Sequence, residues 1–360
     1  MREAIVRPRS SRVEAISPPP KLEYGVVPSC SRLAEAADTE SDVSPTLRSR
    51  FRGAFLGCLL GDAVGRPFEM MSASDGRIGP ALDAMLGRPG RWTYTDDTEM
   101  TISVAESLTR VGSVSPEDIL ATLAANYDAA RGYGHGMKRA VEAFRSGRST
   151  AFSTWAEGSK GNGGAVRIVP IACAYHDGPV ALAAHADAAT AVTHAHPLGR
   201  AGAVAHAMAL AHVLRHAPGQ RVDGESLGAA VRGATAVAGT LLASRVDAAL
   251  RIAQNLAAPG EAARELGNGV LAEEAVPLAL FSFLRWAPDF EAVVRNAILA
   301  GGDTDTTAAM SGALCGALVG EERLPSSWIE RAETGPKGVA YVRSLADATF
   351  DVWEKRTARA

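Results

Sequence analysis

GAFLGCLLGDAVG, residues 53–65, places glycine at Gly53, Gly57, Gly61 and Gly65. A four-residue interval returns to nearly the same face of an α-helix, so these positions form one stripe without side chains. In a membrane such a stripe marks a dimerisation face. Here Arg50, Arg52 and Asp62 sit among the glycines, and the stripe instead lets another backbone approach closely. Leu47, Phe51, Ala54, Phe55 and Cys58 recur at three- and four-residue spacing, an apolar helix face. Ser44-Pro45 ahead of them reads as an N-cap followed by proline at the first helical position.

The same period continues along the chain. Met100, Val104, Leu108 and Val111 keep helical spacing, as do Ile119, Leu123 and Tyr127. Residues 180–216 are rich in alanine and histidine, with Pro197 separating two helices. Residues 226–256 and 270–300 are long and apolar-periodic, and Ser311 to Val319 is a helix of small residues. Few segments alternate with period two, and no repeat of 20–50 residues is visible. The expected fold is all-α: a single compact helical domain over residues 46–357, preceded by a flexible extension, residues 1–45.

Composition agrees and excludes several classes. Of 360 residues 47% are apolar but only 6% aromatic, so alanine, leucine and valine supply most of the core. Alanine favours helix because it loses no side-chain entropy. A net charge of −3 gives no electrostatic footprint for nucleic acid. No apolar run approaches the roughly 20 residues of a membrane span, and no apolar stretch follows the N-terminal arginines as in a secretory signal. The four cysteines are scattered without a CxxC pair. Cys58 and Cys315 fall in small-residue helical stripes and read as core. A reduced, cytoplasmic protein is the expectation.

Residues 1–45 differ in kind. They hold six of the 19 prolines and segregate charge, with Arg2, Arg7, Arg9, Arg12 and Lys21 ahead of Glu35, Asp38, Glu40 and Asp42. A solvated tail fits this composition. So does an arm that orders on a partner, because Ile5, Val6, Ile16, Leu22, Tyr24, Val26 and Val27 supply apolar anchors.

Two acidic stretches carry the chemistry. Thr95-Asp96-Asp97-Thr98 precedes a helix beginning near Glu99, and Gly301-Gly302-Asp303-Thr304-Asp305-Thr306-Thr307 opens another. Thr and Asp cap helices and favour the positive end of the dipole, which alone accounts for the first stretch. The second exceeds what a cap needs. Within a regular helix Asp303 and Asp305 point about 200° apart, whereas a glycine-led entry loop lets both carboxylates converge. Four carboxylates and several hydroxyls form a hard oxygen set suited to Mg²⁺ or Mn²⁺, and such carboxylates coexist ionised only beside cations. Zinc is disfavoured, since neither stretch contains cysteine or histidine.

Six segments now stand in order: GAFLGCLLGDAVGRPFE (53–69), YTDDTEMT (94–101), RGYG (131–134), GNGGAVRIVPIA (161–172), THAHPLG (193–199) and GGDTDTTAAMSGALCGALVG (301–320). Together the chain resembles the ADP-ribosylglycohydrolase family. The resemblance implies an all-helical domain with a binuclear Mg²⁺ or Mn²⁺ centre held by Thr95, Asp96, Asp97, Asp303, Asp305 and Thr306, with Asp305 bridging the two ions. It implies removal of ADP-ribose from modified side chains, or hydrolysis of related ADP-ribosyl compounds. Two cations could grip vicinal ribose hydroxyls and position a water beside the anomeric carbon.

Glu69 matches a glutamate of the family and is the first candidate for the catalytic base, with Asp97 and Asp303 as the other catalytic carboxylates. Gly161, Asn162, Gly163 and Gly164 form a loop whose amides could cradle a diphosphate, or an ordinary glycine-rich turn. Tyr133 and Gly134 are similar to a substrate-lining loop, where some relatives carry an aspartate in place of Gly132. His194 matches a position near the bound ribose. His212 and His216 lie four apart, yet no third metal ligand accompanies them.

The leading expectation is a metal-dependent hydrolase acting on ADP-ribosylarginine in proteins; serine, other acceptors and free ADP-ribosyl metabolites stay open. The alternative is a binding or immunity protein that sequesters an ADP-ribosyltransferase toxin through residues 1–45, with or without hydrolysis. Neither a nucleic acid nor a membrane is expected as a partner.

Overall fold

The computed structural model describes residues 44–147, 158–235 and 240–359. The expected arm, residues 1–45, lies outside them except for Ser44 and Pro45. The chain divides at Val43, leaving Ser44–Ala360 as the second unit.

Among the described residues the regular elements are helices, and pairing between extended segments is limited to isolated bridges. Helix α1 is Leu47–Gly65, α2 Ile78–Leu86, α3 Asp96–Val111, α4 Pro116–Asn126 and α5 His135–Arg145. After these come α6 Gly163–Val166, α7 Val169–Ala174, α8 Pro179–Ala191 and α9 Pro197–Arg215. Next are α10 Gly224–Thr235, α11 Thr240–Gln254, α12 Pro259–Leu266 and α13 Ala272–Trp286. The last four are α14 Phe290–Leu299, α15 Thr304–Val319, α16 Ser326–Arg331 and α17 Val339–Thr357. Pro197 does open a new helix, as its fixed φ predicts. The second long periodic stretch divides in two at Pro288, and in the first the described helices α10 and α11 lie on either side of residues 236–239. The first helix starts later than expected: Thr46 is the N-cap, its hydroxyl accepting from Ser49 N–H at 3.1 Å, which leaves Pro45 outside.

Helices α1 and α15 form the centre. A Cβ on Gly53 would lie 2.2 Å from the Gly316 carbonyl oxygen, one on Gly57 2.2 Å from that of Gly312, and one on Gly61 2.1 Å from that of Ala308. At the end of the stripe, a Cβ on Gly65 would meet the Thr304 carbonyl at 2.6 Å. The partners descend as the glycines ascend, so the helices run antiparallel at backbone contact. That direction brings the C-terminal end of α1 to the N-terminal end of α15. Every residue of α15 is buried, and α9, α13 and α14 pack around it.

Close packing needs its polar groups answered. Arg50, 4% exposed, donates to the carbonyls of Val213 (2.5 Å), Leu214 (3.1 Å), His216 (3.1 Å) and Ala317 (2.7 Å). These are mostly carbonyls left open at the C-terminal ends of α9 and α15, so one guanidinium serves two helix ends. Cys58, Cys173 and Cys315 are buried, and burial pushes their thiols up, in keeping with core positions. Among the described helices none is long and apolar enough to cross a membrane.

Candidate active site

The α1–α15 pairing sets the site. Thr304 Oγ1 donates to the Gly65 carbonyl at 2.9 Å, and Met70 N–H donates to that of Gly302 at 2.7 Å. Gly301 and Gly302 have φ of 64° and 75°, a left-handed turn open to residues without a side chain. Asp303 then serves as the N-cap of α15, with φ −81° and ψ 73°, outside helical geometry. Asp305 lies in the first turn. This break in the helix allows convergence: oxygens of Glu69, Asp303 and Asp305 all lie within 4.8 Å of one another. Among the described residues no other group of three histidines, cysteines or carboxylates comes so close, and the rings of His212 and His216 merely stack at 6.3 Å.

The first acidic stretch arrives from α3, which begins at Asp96 rather than near Glu99. Thr95 is its N-cap and accepts from Asp97 N–H. The start of α3 is held by a residue that sequence reading passed over. Asp62 is fully buried and accepts from Thr95 N–H (2.9 and 3.1 Å), Thr98 N–H (3.0 Å) and Thr98 Oγ1 (2.6 Å). A charged residue inside a stripe of glycines was the signal available, since an unpaired charge is rarely buried.

A cavity of about 290 Å³ opens over these groups. Glu69, Asp96, Asp97, Asp303, Asp305 and Thr306 line it, as do Gly134, Gly161, Asn162, Gly163 and His194. His135, Met137, Ser159 and Val270, not singled out from sequence, complete parts of its wall. Three expected residues stand behind the wall instead. Thr95 caps α3. Gly164 packs on Thr190, whose Cγ2 would lie 2.3 Å from an added Cβ. Tyr133, 2% exposed, turns its hydroxyl to donate to buried Glu99 at 2.7 Å, so it supports the substrate-lining loop rather than facing the cavity. Arg131 anchors the same loop through a two-pronged pair with Glu333 at 2.7 Å. Asn162 has a double position: it lines the cavity and donates Nδ2–H to Asp303 at 2.6 Å. The two cavity-lining glycines make room for an imidazole, since a Cβ on Gly161 or Gly163 would come within 3.3 Å of the His194 ring.

The electrostatics call for cations. Burial and then the Asp62 charge raise Asp96 to about 7. Burial and the Asp96 charge raise Asp97; burial and the Asp97 charge raise Asp305. Glu69 is raised by burial and by Asp303. Crowded carboxylates of this kind ionise together only when positive charge is near. Asp97 Oδ2 is buried without a hydrogen-bond partner among the described residues, an acceptor left for a ligand. Carboxylates with the Thr306 hydroxyl make an all-oxygen donor set, which fits Mg²⁺ or Mn²⁺.

An all-α domain holding a carboxylate cluster at two antiparallel helix ends, under a glycine- and histidine-lined cavity, has the anatomy of a hydrolase acting on a small polar group. The chain belongs to the ADP-ribosylglycohydrolase family, whose model matches residues 43–359. It is 33% identical over 332 residues to the ADP-ribosylhydrolase ARH3 of Xenopus tropicalis, covering 79% of this chain and 91% of the relative. It is 31% identical to the ADP-ribosylhydrolase ARH3 of Homo sapiens, covering 85% and 94%. The ADP-ribosyl-[dinitrogen reductase] glycohydrolase of Rhodospirillum rubrum is 27% identical, covering 80% and 92%. A solved structure titled ADP-ribosylglycohydrolase-related protein complex superposes with a TM-score of 0.68 at 29% identity, covering 85% of this chain and 99% of its own. The protein is an enzyme of the ADP-ribosylglycohydrolase type, hydrolysing ADP-ribose from modified substrates.

Proposed function

We propose that this chain is a divalent-metal-dependent hydrolase that cleaves the bond between ADP-ribose and an arginine side chain of a protein. The observation that supports it is the convergence of Glu69, Asp303 and Asp305 within 4.8 Å beneath a cavity also lined by Asp96 and Asp97. Glu69, on the exposed side of the cluster, gives the leaving side a negative charge that suits a cationic guanidinium. Asp96, Asp97, Asp303, Asp305 and Thr306 would hold two Mg²⁺ or Mn²⁺ ions, with Thr95 behind them. Bound there, the ions supply Lewis acidity at the ribose hydroxyls and a place for the nucleophilic water.

The remaining work belongs to the chain. Glu69 takes a proton from the attacking water. Desolvation and the Asp303 charge raise it above the ordinary glutamate value, which makes it the stronger base. The same proton can then pass to the departing guanidine. Asn162 holds Asp303 in place by its 2.6 Å hydrogen bond. Gly161 and Gly163 line the cavity, where a glycine-rich loop can take a diphosphate, although the Gly161 N–H itself donates to Ser159 Oγ at 3.1 Å.

The test is incubation with arginine-linked and serine-linked ADP-ribosyl proteins, first with Mg²⁺ and then with chelator. Release of ADP-ribose from the arginine-linked substrate, abolished by chelation, is expected. Release from the serine-linked form alone moves the specificity, and no release from either form overturns the reading.

A further inference from the structure

Arg167 is the largest fully buried side chain of the domain, at 1% exposure, and no carboxylate pairs with it among the described residues. Its Nη2 donates to the Ala189 carbonyl at 3.2 Å and to Thr193 Oγ1 at 2.7 Å, and its Nη1 rests 3.8 Å from Met100 Sδ. Thr193 Oγ1 lies in turn 2.8 Å from Nδ1 of His194. The chain of bonds therefore runs from a buried cation through a hydroxyl to an imidazole on the cavity wall.

Donor and acceptor counting fixes the protons along it. A guanidinium only donates, so the Thr193 oxygen accepts from Arg167. The hydroxyl has a single proton, and among its contacts the one acceptor left is His194 Nδ1. Nδ1 therefore accepts, and the ring proton sits on Nε2. Among the described residues Nε2 has no protein partner, and its surroundings are the bare faces of Gly161 and Gly163. A second proton on the ring is opposed by burial and by Arg167 behind it, both of which push His194 down to about 3.

We propose that Arg167 is a positioning residue which, through Thr193, locks His194 as the neutral tautomer with its Nε2–H aimed into the cavity. His194 then offers the substrate one hydrogen-bond donor, for an acceptor oxygen of the ADP-ribosyl group, and does not serve as a base. This builds on the reading of the cavity as the ADP-ribose site. It also gives the buried arginine a role: its donor to Thr193 and its positive charge both favour the neutral ring with the proton on Nε2.

Nitrogen-15 NMR of the full-length protein, labelled at histidine, tests the lock without any turnover. The wild-type spectrum should show His194 with Nε2 protonated and Nδ1 as acceptor, and the Nε2–H signal should shift when free ADP-ribose is added with Mg²⁺. Thr193→Val keeps the shape but removes the hydroxyl. It should mix the tautomers and weaken ADP-ribose binding about tenfold, the cost of one hydrogen bond in a buried site. Thr193→Ser should restore both. A wild-type His194 protonated at Nδ1, or unchanged tautomer and binding in Thr193→Val, would overturn the assignment. Because the tautomer is read in the protein alone, a wrong substrate class would leave that result standing.

Discussion

Asp62 Oδ2 accepts hydrogen bonds from both the amide and the hydroxyl of Thr98, at 3.0 and 2.6 Å. One buried carboxylate at the end of α1 thus fixes the first turn of α3, the turn that bears Asp96 and Asp97. Asp62→Asn would set an amide NH₂ against these donors. A loss of about 1–3 kcal/mol is expected, because a buried donor is left without an acceptor. Mg²⁺ affinity, read by calorimetry on the folded variant, should weaken too. A lower melting temperature with unchanged Mg²⁺ affinity would reduce Asp62 to a helix cap.

The contact of α1 with α15 permits a paired comparison. Gly57→Ala places a methyl 2.2 Å from the Gly312 carbonyl oxygen, where only backbone could give way. Overpacking of this kind costs about 1–3 kcal/mol, more than the roughly 1 kcal/mol that alanine gains over glycine in a helix. Gly79→Ala in α2 meets its nearest atom, a Leu299 methyl, at 3.7 Å. Thermal melts should show Gly57→Ala several degrees lower and Gly79→Ala unchanged or higher. Equal behaviour would contradict the backbone contact.

Carboxyls held above their ordinary values make the metal-free protein sensitive to pH. Asp96 sits at about 7, and Asp97 and Asp305 are also raised, each first by burial. Unfolded carboxyls titrate near 4, at about 3.9 for Asp. The folded chain therefore holds extra protons between these values, and the stability they lend is complete below about pH 4 and lost as pH rises through about 7. In chelator the melting temperature should fall across that window. The rise produced by excess Mg²⁺ should grow across it, since cations replace protons as the neutralising charge. Parallel curves with and without Mg²⁺ would argue against a cation site.

Glu69 is the exposed member of the carboxylate trio. Glu69→Gln keeps its size and removes its basicity, so turnover should fall by about 10²–10⁴ with little change in KM. Melting temperature should hold or rise slightly, because one of the crowded charges is gone. Full turnover in the glutamine variant would pass the role of base to another carboxylate.

Much of this was legible along the chain because it rests on spacing. The glycine interval announced a backbone contact, the two acidic stretches announced a cluster of carboxylates, and Pro197 announced a helix start. What spacing does not encode is which residue answers which across the fold. Asp62 and Arg50 read as charges that argued against a membrane stripe, and both are buried, each satisfying the end of another helix. Tyr133 read as facing substrate, but Glu99, an acidic residue of α3, draws its hydroxyl away. Arg167 gave no local signal, because its partners Thr193 and Ala189 come from a different part of the chain. Helix α3 begins at Asp96 rather than near Glu99 because Thr95 caps it and buried Asp62, distant in sequence, accepts from Thr95 and Thr98.

The antiparallel union of α1 and α15 also has a consequence for how the molecule comes into being. Its two halves of the oxygen-donor cluster are separated by more than 200 residues of chain. During synthesis from the N-terminus, Glu69, Asp96 and Asp97 leave the ribosome long before Asp303 and Asp305 do. Until α15 emerges, α1 presents a naked glycine stripe, and the first acidic stretch has no opposing carboxylates. Core completion and assembly of the carboxylate cluster thus fall at one late moment of biogenesis, and a chain ending before α15 would forfeit both together.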